Sequence, residues 1–127
     1  MDKTLRVLKA MADRNRMRVV LALTAAAELC ACQITELLGI TGASASRHLS
    51  LLVAAEILRA RKDGRWMHYR LADDASSRPL LAWVVSRSAG SPEHAEDMRK
   101  LAAITACDRE EICRRQRCGA EIESDQT

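Results

Sequence analysis

The stretch from Gln33 to Leu71 constrains the fold most, because its apolar residues recur first at helical spacing and then at strand spacing. From Gln33 to Leu38 there is room for less than two turns of helix. Gly39 then offers the left-handed conformation that ends helices. Thr41 is placed to cap a second helix from about Gly42 to Ala55, with Ala45, Leu49, Leu52 and Val53 as its inward stripe. Ser44, Ser46, Arg47 and Ser50 are left facing out, and His48 falls between the two faces. The period then drops to two. Leu58-Arg59-Ala60-Arg61 alternates apolar and basic, Lys62-Asp63-Gly64-Arg65 carries the Asp-Gly turn signal, and Trp66 to Leu71 alternates again. Two short helices joined by a tight glycine-containing turn and followed by a hairpin define a winged helix-turn-helix, mainly α with a small β-hairpin. In that arrangement the second helix enters the major groove of duplex DNA.

Charge agrees with this reading. Between Ile40 and Arg70 the basic residues Arg47, Arg59, Arg61, Lys62, Arg65 and Arg70 face only Glu56 and Asp63, while the whole chain carries a net charge of +3. A basic middle on a nearly neutral body suits a polyanionic partner, although charge alone is equally compatible with a solvated face. Ser44, Ser46, Arg47, His48 and Ser50 are the candidate groove contacts, and Lys62 and Arg65 at the hairpin tip are candidate phosphate contacts.

Around this unit the pattern is helical. Asp2 is placed to cap a first helix with Leu5, Leu8, Met11 and Ala12 on one side. Asp13 is placed to cap a second, in which Met17, Val20 and Leu21 follow the apolar period and Arg14, Arg16 and Arg18 lie outside it. Ser77 and Pro79 open a helix through Leu80, Leu81, Trp83 and Val84, and Gly90-Ser91-Pro92 starts another with Ala95, Met98, Leu101 and Ala102 at helical spacing. That last helix has more apolar face than a small wing domain covers, so it is the first choice for a dimer contact. A 127-residue chain without phenylalanine builds a modest core, which pairing of two copies would reinforce. Residues 1–106 read as one winged helix-turn-helix and dimerisation domain, and 107–127 as a polar cysteine-containing tail. No run of about 18 apolar residues is present, and the N-terminus lacks an apolar signal core, so a soluble cytoplasmic protein is expected.

The five cysteines are Cys30, Cys32, Cys107, Cys113 and Cys118, an odd count that argues for reduced thiols with a chemical role over a disulfide scaffold. Cys30 and Cys32 immediately precede the first helix of the helix-turn-helix. If that segment is helical, residues two apart point roughly 200° from each other, so one ion can gather both sulfurs only by unwinding the backbone at Ala31. Thiolates select soft ions and metalloids, and the bland alternative is that each cysteine is a small buried apolar residue. Cys107, Cys113 and Cys118 share no obvious helical face and read first as dispersed, partly exposed thiols, with a sulfur donated to the Cys30 and Cys32 site or a separate second site as the alternatives, while Arg115 and Arg117 would activate Cys118. A thiol redox sensor would use the same residues. A thiol enzyme is disfavoured, because there is no Cys-x-x-Cys, no Cys followed six residues later by Arg, and no glycine-rich phosphate loop.

Glu28-Leu29-Cys30-Ala31-Cys32, Ser46-Arg47-His48-Leu49 with Leu51-Leu52, and Asp63 to Leu71, in this order and spacing, resemble the ArsR family of arsenic- and metal-responsive winged-helix repressors over roughly Leu5 to Val84. The resemblance implies a homodimer on a palindromic operator, with no cofactor for DNA binding, that represses until As(III) or Sb(III) binds thiolates beside the helix-turn-helix. A soft divalent metal is the alternative inducer. Thr35 stands where the family often has a third cysteine, so a third sulfur would come from Cys107, Cys113 or Cys118. Glu56 stands where a helix-ending glycine is common, and His94 with Glu93 or Asp97 is all that remains of the zinc-sensing pattern on the last helix.

Overall fold

The computed structural model describes residues 1–116. Its elements run α1 (Asp2–Met11), α2 (Arg14–Ala25), β1 (Leu29–Cys30), α3 (Ala31–Leu38), α4 (Gly42–Ala54), β2 (Leu58–Asp63), β3 (Trp66–Leu71), α5 (Arg78–Ser88) and α6 (Pro92–Ala106), with a further helical stretch over 109–116. α2 is the central helix. Its Val19 to Leu23 are buried without interruption, which means neighbours cover it on every side. Ile34, Leu37 and Leu38 of α3, Leu49 and Leu52 of α4, Ile57, Leu58, Leu101 and Ile104 complete one continuous core.

The local signals act as their chemistry dictates. Asp13 caps α2 by accepting the Arg16 N–H, and Thr41 caps α4 by accepting the Ser44 N–H at 3.2 Å. Gly39 ends α3 in the left-handed conformation at φ 67°. Glu56 takes φ 61° although it carries a side chain, so the sharp exit from α4 keeps its shape without glycine. In the hairpin Asp63 pairs with Trp66, and Gly64 at φ 60° supplies the positive φ that a type II′ turn needs at its first central position.

Several expectations change. The sheet has three strands in the order β1-β3-β2, because Leu29 and Cys30 pair antiparallel with Tyr69 and His68. Cys30 is therefore extended, at φ −82° and ψ 163°, and serves as the N-cap of α3. It does not share a helix with Cys32, and gathering the two sulfurs does not require a helix to unwind between them. At the N-terminus, Met1 and not Asp2 is the N-cap of α1, and Leu5 and Leu8 stay 45% and 48% exposed. At the other end, α6 turns Leu101 and Ile104 into the core, and the exposed large apolar side chains among the described residues are Met1, Leu5 and Leu8 at the N-terminus, Leu51 on α4, and Trp83 and Val85 on α5. The segment after Cys107, expected as a polar tail, begins as a helix whose Ile112 is fully buried in the common core.

Candidate DNA interface and thiol cavity

On α4 the structure leaves Ser46, Arg47 and Ser50 exposed and Ser44 half-buried on the face turned from the core. Lys62 and Arg65 are exposed at the hairpin tip. His48 is a correction: it is 6% exposed, and its Nδ1 lies 3.0 Å from Arg16 Nη1 and 3.9 Å from Asp13. A guanidinium only donates, so Nδ1 must accept. The ring is thereby tied to α2 and cannot reach a base edge. It stands three residues after buried Ala45 and four before buried Leu52, which puts it on the inward side of α4.

Arg16 also donates from Nε to the Ala10 carbonyl at 2.7 Å, so one side chain joins the end of α1, the start of α2 and the reading helix. Arg18 makes the corresponding bracket on the far side. Its Nε and Nη2 donate to Asp97 at 2.8 and 3.0 Å, and Nη2 also reaches the Leu37 carbonyl at 3.0 Å. Hydrogen bonding to Asp97 raises the guanidinium pKa further. This bracket fixes α6 and the end of α3 against α2, and so holds the turn of the helix-turn-helix. Neither role had a signal in the residue pattern, because both arginines merely lie outside an apolar period.

The thiols converge more than their spacing suggested. Cys32 is joined in a disulfide to Cys113, 81 residues away, with Cα atoms 5.6 Å apart. Cys30 is a buried free thiol and lines the same cavity of about 820 Å³, together with Ala31, Thr35, Ile40, Trp66 and Met67. Gln33 accepts the Cys30 N–H at 2.9 Å, the reciprocal half of a capping box that its position three residues on could have disclosed. Cys107 lies elsewhere: it is the exposed C-cap of α6 and does not line this cavity. Cys118 lies outside the described residues. Among the described residues no three His, Cys, Asp or Glu side chains are already gathered around a point where a metal would sit, and this includes His94 with Glu93 and Asp97. Asp97 is committed to Arg18.

The cavity borders the wing. Glu28 accepts two hydrogen bonds from Arg61, which hold its carboxyl below the usual range, and lies 3.7 Å from the buried His68. Thr35, at the position of the missing third cysteine, donates its hydroxyl to the Ala31 carbonyl at 2.8 Å.

A helix-turn-helix whose reading face is free, with a basic hairpin beside it, defines a DNA-binding winged-helix regulator. A model described as "Helix-turn-helix domain" matches residues 11–61. The chain is 40% identical over 68 residues to the arsenical resistance operon repressor of Escherichia coli (strain K12), a match covering 54% of this chain and 58% of that protein. It therefore spans little more than half the length of that relative. Among solved structures, the AntR antimony-specific transcriptional repressor aligns with a TM-score of 0.57 at 26% identity, covering 75% of this chain and 81% of that one. A homodimeric winged helix-turn-helix DNA-binding domain from Mycobacterium bovis, described as a possible ArsR-family regulator, also aligns with a TM-score of 0.57, at 28% identity over 71% and 83% of the two chains. The chain belongs to the ArsR family of winged helix-turn-helix transcriptional regulators.

Proposed function

We propose that this protein is an operator-binding repressor that works as a homodimer and is released when As(III) or Sb(III) binds the thiols of Cys30, Cys32 and Cys113. The observation that carries the reading is the convergence of these three sulfurs on one cavity at the foot of α3, the helix that packs directly beneath the reading helix α4. A trivalent metalloid exchanges each hydroxide for a thiolate and releases water, and soft sulfur donors suit it. With the Cys32–Cys113 pair reduced, two donors are adjacent and Cys30 is the third. Recruiting Cys30 disturbs its pairing with His68 and the Gln33 cap, which together set where α3 begins. α3 shares its core contacts with Leu49 and Leu52, so a displaced α3 misaligns Ser46 and Arg47 in the groove. Exposed Leu5, Leu8 and Trp83 supply the apolar surface that a second copy would cover.

The test is fluorescence anisotropy on an operator selected from a random duplex pool, with and without arsenite. Release should occur with the parent protein and be lost in Cys32→Ser and Cys113→Ser. Normal release in both variants would refute the sensor. Sedimentation should show a dimer that Leu8→Glu dissociates.

The Cys32–Cys113 bond also favours a second reading, thiol redox sensing. It predicts release by peroxide and recovery with dithiothreitol, in the absence of any metalloid.

A further inference from the structure

The helix over 109–116 does more than bring Cys113 to Cys32. Arg109, Cys113 and Gln116 recur at helical spacing on one side of it, and Glu110 lies one turn before Cys113. That side meets both the thiol site and the wing. Gln116 donates to the Cys32 carbonyl at 2.8 Å and to Glu36 at 3.3 Å. At the other end, Glu110 pairs with Arg65 at 3.4 Å. The Arg109 guanidinium sits 5.8 Å from the centre of the Trp66 ring, which Arg65 also covers at 5.4 Å, and approaches His68 Nδ1 at 3.5 Å. Arg65, one of the two exposed cations at the wing tip, is therefore already facing a carboxylate of its own chain.

We propose that the 109–116 helix is a thiol-tethered competitor for the wing: when Cys32 and Cys113 are joined, Glu110 occupies Arg65 in place of a backbone phosphate of duplex DNA. The proposal rests on the chain being a DNA-binding regulator, but not on which inducer joins the thiols. An exposed ion pair is weak by itself, with both partners about two-thirds exposed here, and a phosphate would displace it. Joining Cys113 to Cys32 makes the contact intramolecular at high effective concentration, because Glu110 is only one helical turn from the anchor. The carboxylate then also repels the phosphate it displaces. Neutralisation of the wing thus needs only the Cys32–Cys113 bond, with which the Cys30–His68 pairing and the Gln33 cap coexist, whereas displacement of the reading helix needs Cys30 as well.

The experiment uses the full chain and a mixed-sequence duplex of about 30 base pairs, whose binding rests on phosphates alone. Diamide joins the thiols. Two S–H bonds break, one S–S bond forms, and the two electrons and two protons reduce the diazene N=N bond to a hydrazine. Each phosphate contact contributes about 0.9 to the slope of log affinity against log salt. The joined dimer, with one Arg65 per wing, should therefore show a slope shallower by about 2 than the reduced dimer, and bind several-fold more weakly. Glu110→Gln should restore slope and affinity in the joined form. In a Cys113→Ser background it should do nothing. Equal slopes in the joined and reduced forms would overturn the proposal, as would an equal effect of Glu110→Gln with and without Cys113. Failure of arsenite to release the operator would refute the metalloid reading and leave these slopes as predicted. A chain that does not bind the duplex at all would refute both.

Discussion

Replacing Asp97 with alanine should be among the most damaging single changes outside the apolar core. Asp97 is 5% exposed and takes two charge-assisted bonds from Arg18, whose side chain is 15% exposed. Removing one partner of a buried pair costs about 3–5 kcal/mol, because the remaining charge is stranded. Here Arg18 keeps Asn15 Oδ1 at 3.0 Å and the Leu37 carbonyl at 3.0 Å, which places the loss near the low end, about 3 kcal/mol. With a denaturant slope of about 2 kcal/mol per molar urea, the unfolding midpoint should fall by roughly 1.5 M. The measurement is made at one protomer concentration, because the proposed dimer would add stability by mass action. Arg18→Met combined with Asp97→Leu should recover most of the loss, since neither charge is then left unpaired. A midpoint shift for Asp97→Ala below about 0.3 M would refute the bracket. A double variant as unstable as the single one would refute the stranded-charge explanation.

Other changes separate folding from recognition. Glu56→Gly should stabilise the protein by up to about 1 kcal/mol in the same urea titration, by relieving a side chain held at φ 61°, since the Lys3 contact that it removes is exposed to solvent. Arg47→Ala should weaken operator binding without changing the unfolding midpoint, whereas His48→Ala should lower the unfolding free energy by about 1–2 kcal/mol and leave base preference unaltered in a selection experiment. Asp74 is held at about 2, first by the Ser76 hydroxyl and backbone N–H and then by Lys3. A carboxylate depressed in the folded state stabilises above its unfolded pKa, and that stabilisation disappears as pH falls through the folded value. Asp74→Asn should therefore flatten the acid limb of the stability profile between about pH 4 and pH 2, as followed by circular dichroism.

Local chemistry explains how much could be read directly from the residues. Gly39, Thr41 and the Asp63-Gly64 turn act within a few residues of themselves, so the helix-turn-helix, the hairpin and the outward set Ser46, Arg47 and Ser50 were legible in one dimension. His48 was not, because its place at the border of two faces was decided by a donor on another helix, Arg16. Arg18 and Asp97, 79 residues apart, became a bracket only when α2 and α6 packed. The two-residue strand at Leu29 and Cys30 is too short to leave a periodic signal, and exists because β3 had an open edge to pair with. Cysteine spacing named the sulfurs but not their grouping: Cys113 reaches Cys32 because Ile112, its neighbour, is buried in the common core and docks that helix beside α3, while Cys107 at the end of α6 is left outside. Short-range signals such as caps, turns and alternation are carried by neighbouring residues and so are fixed by order alone. Long-range pairings depend on which faces are buried together, and only the packed core settles that.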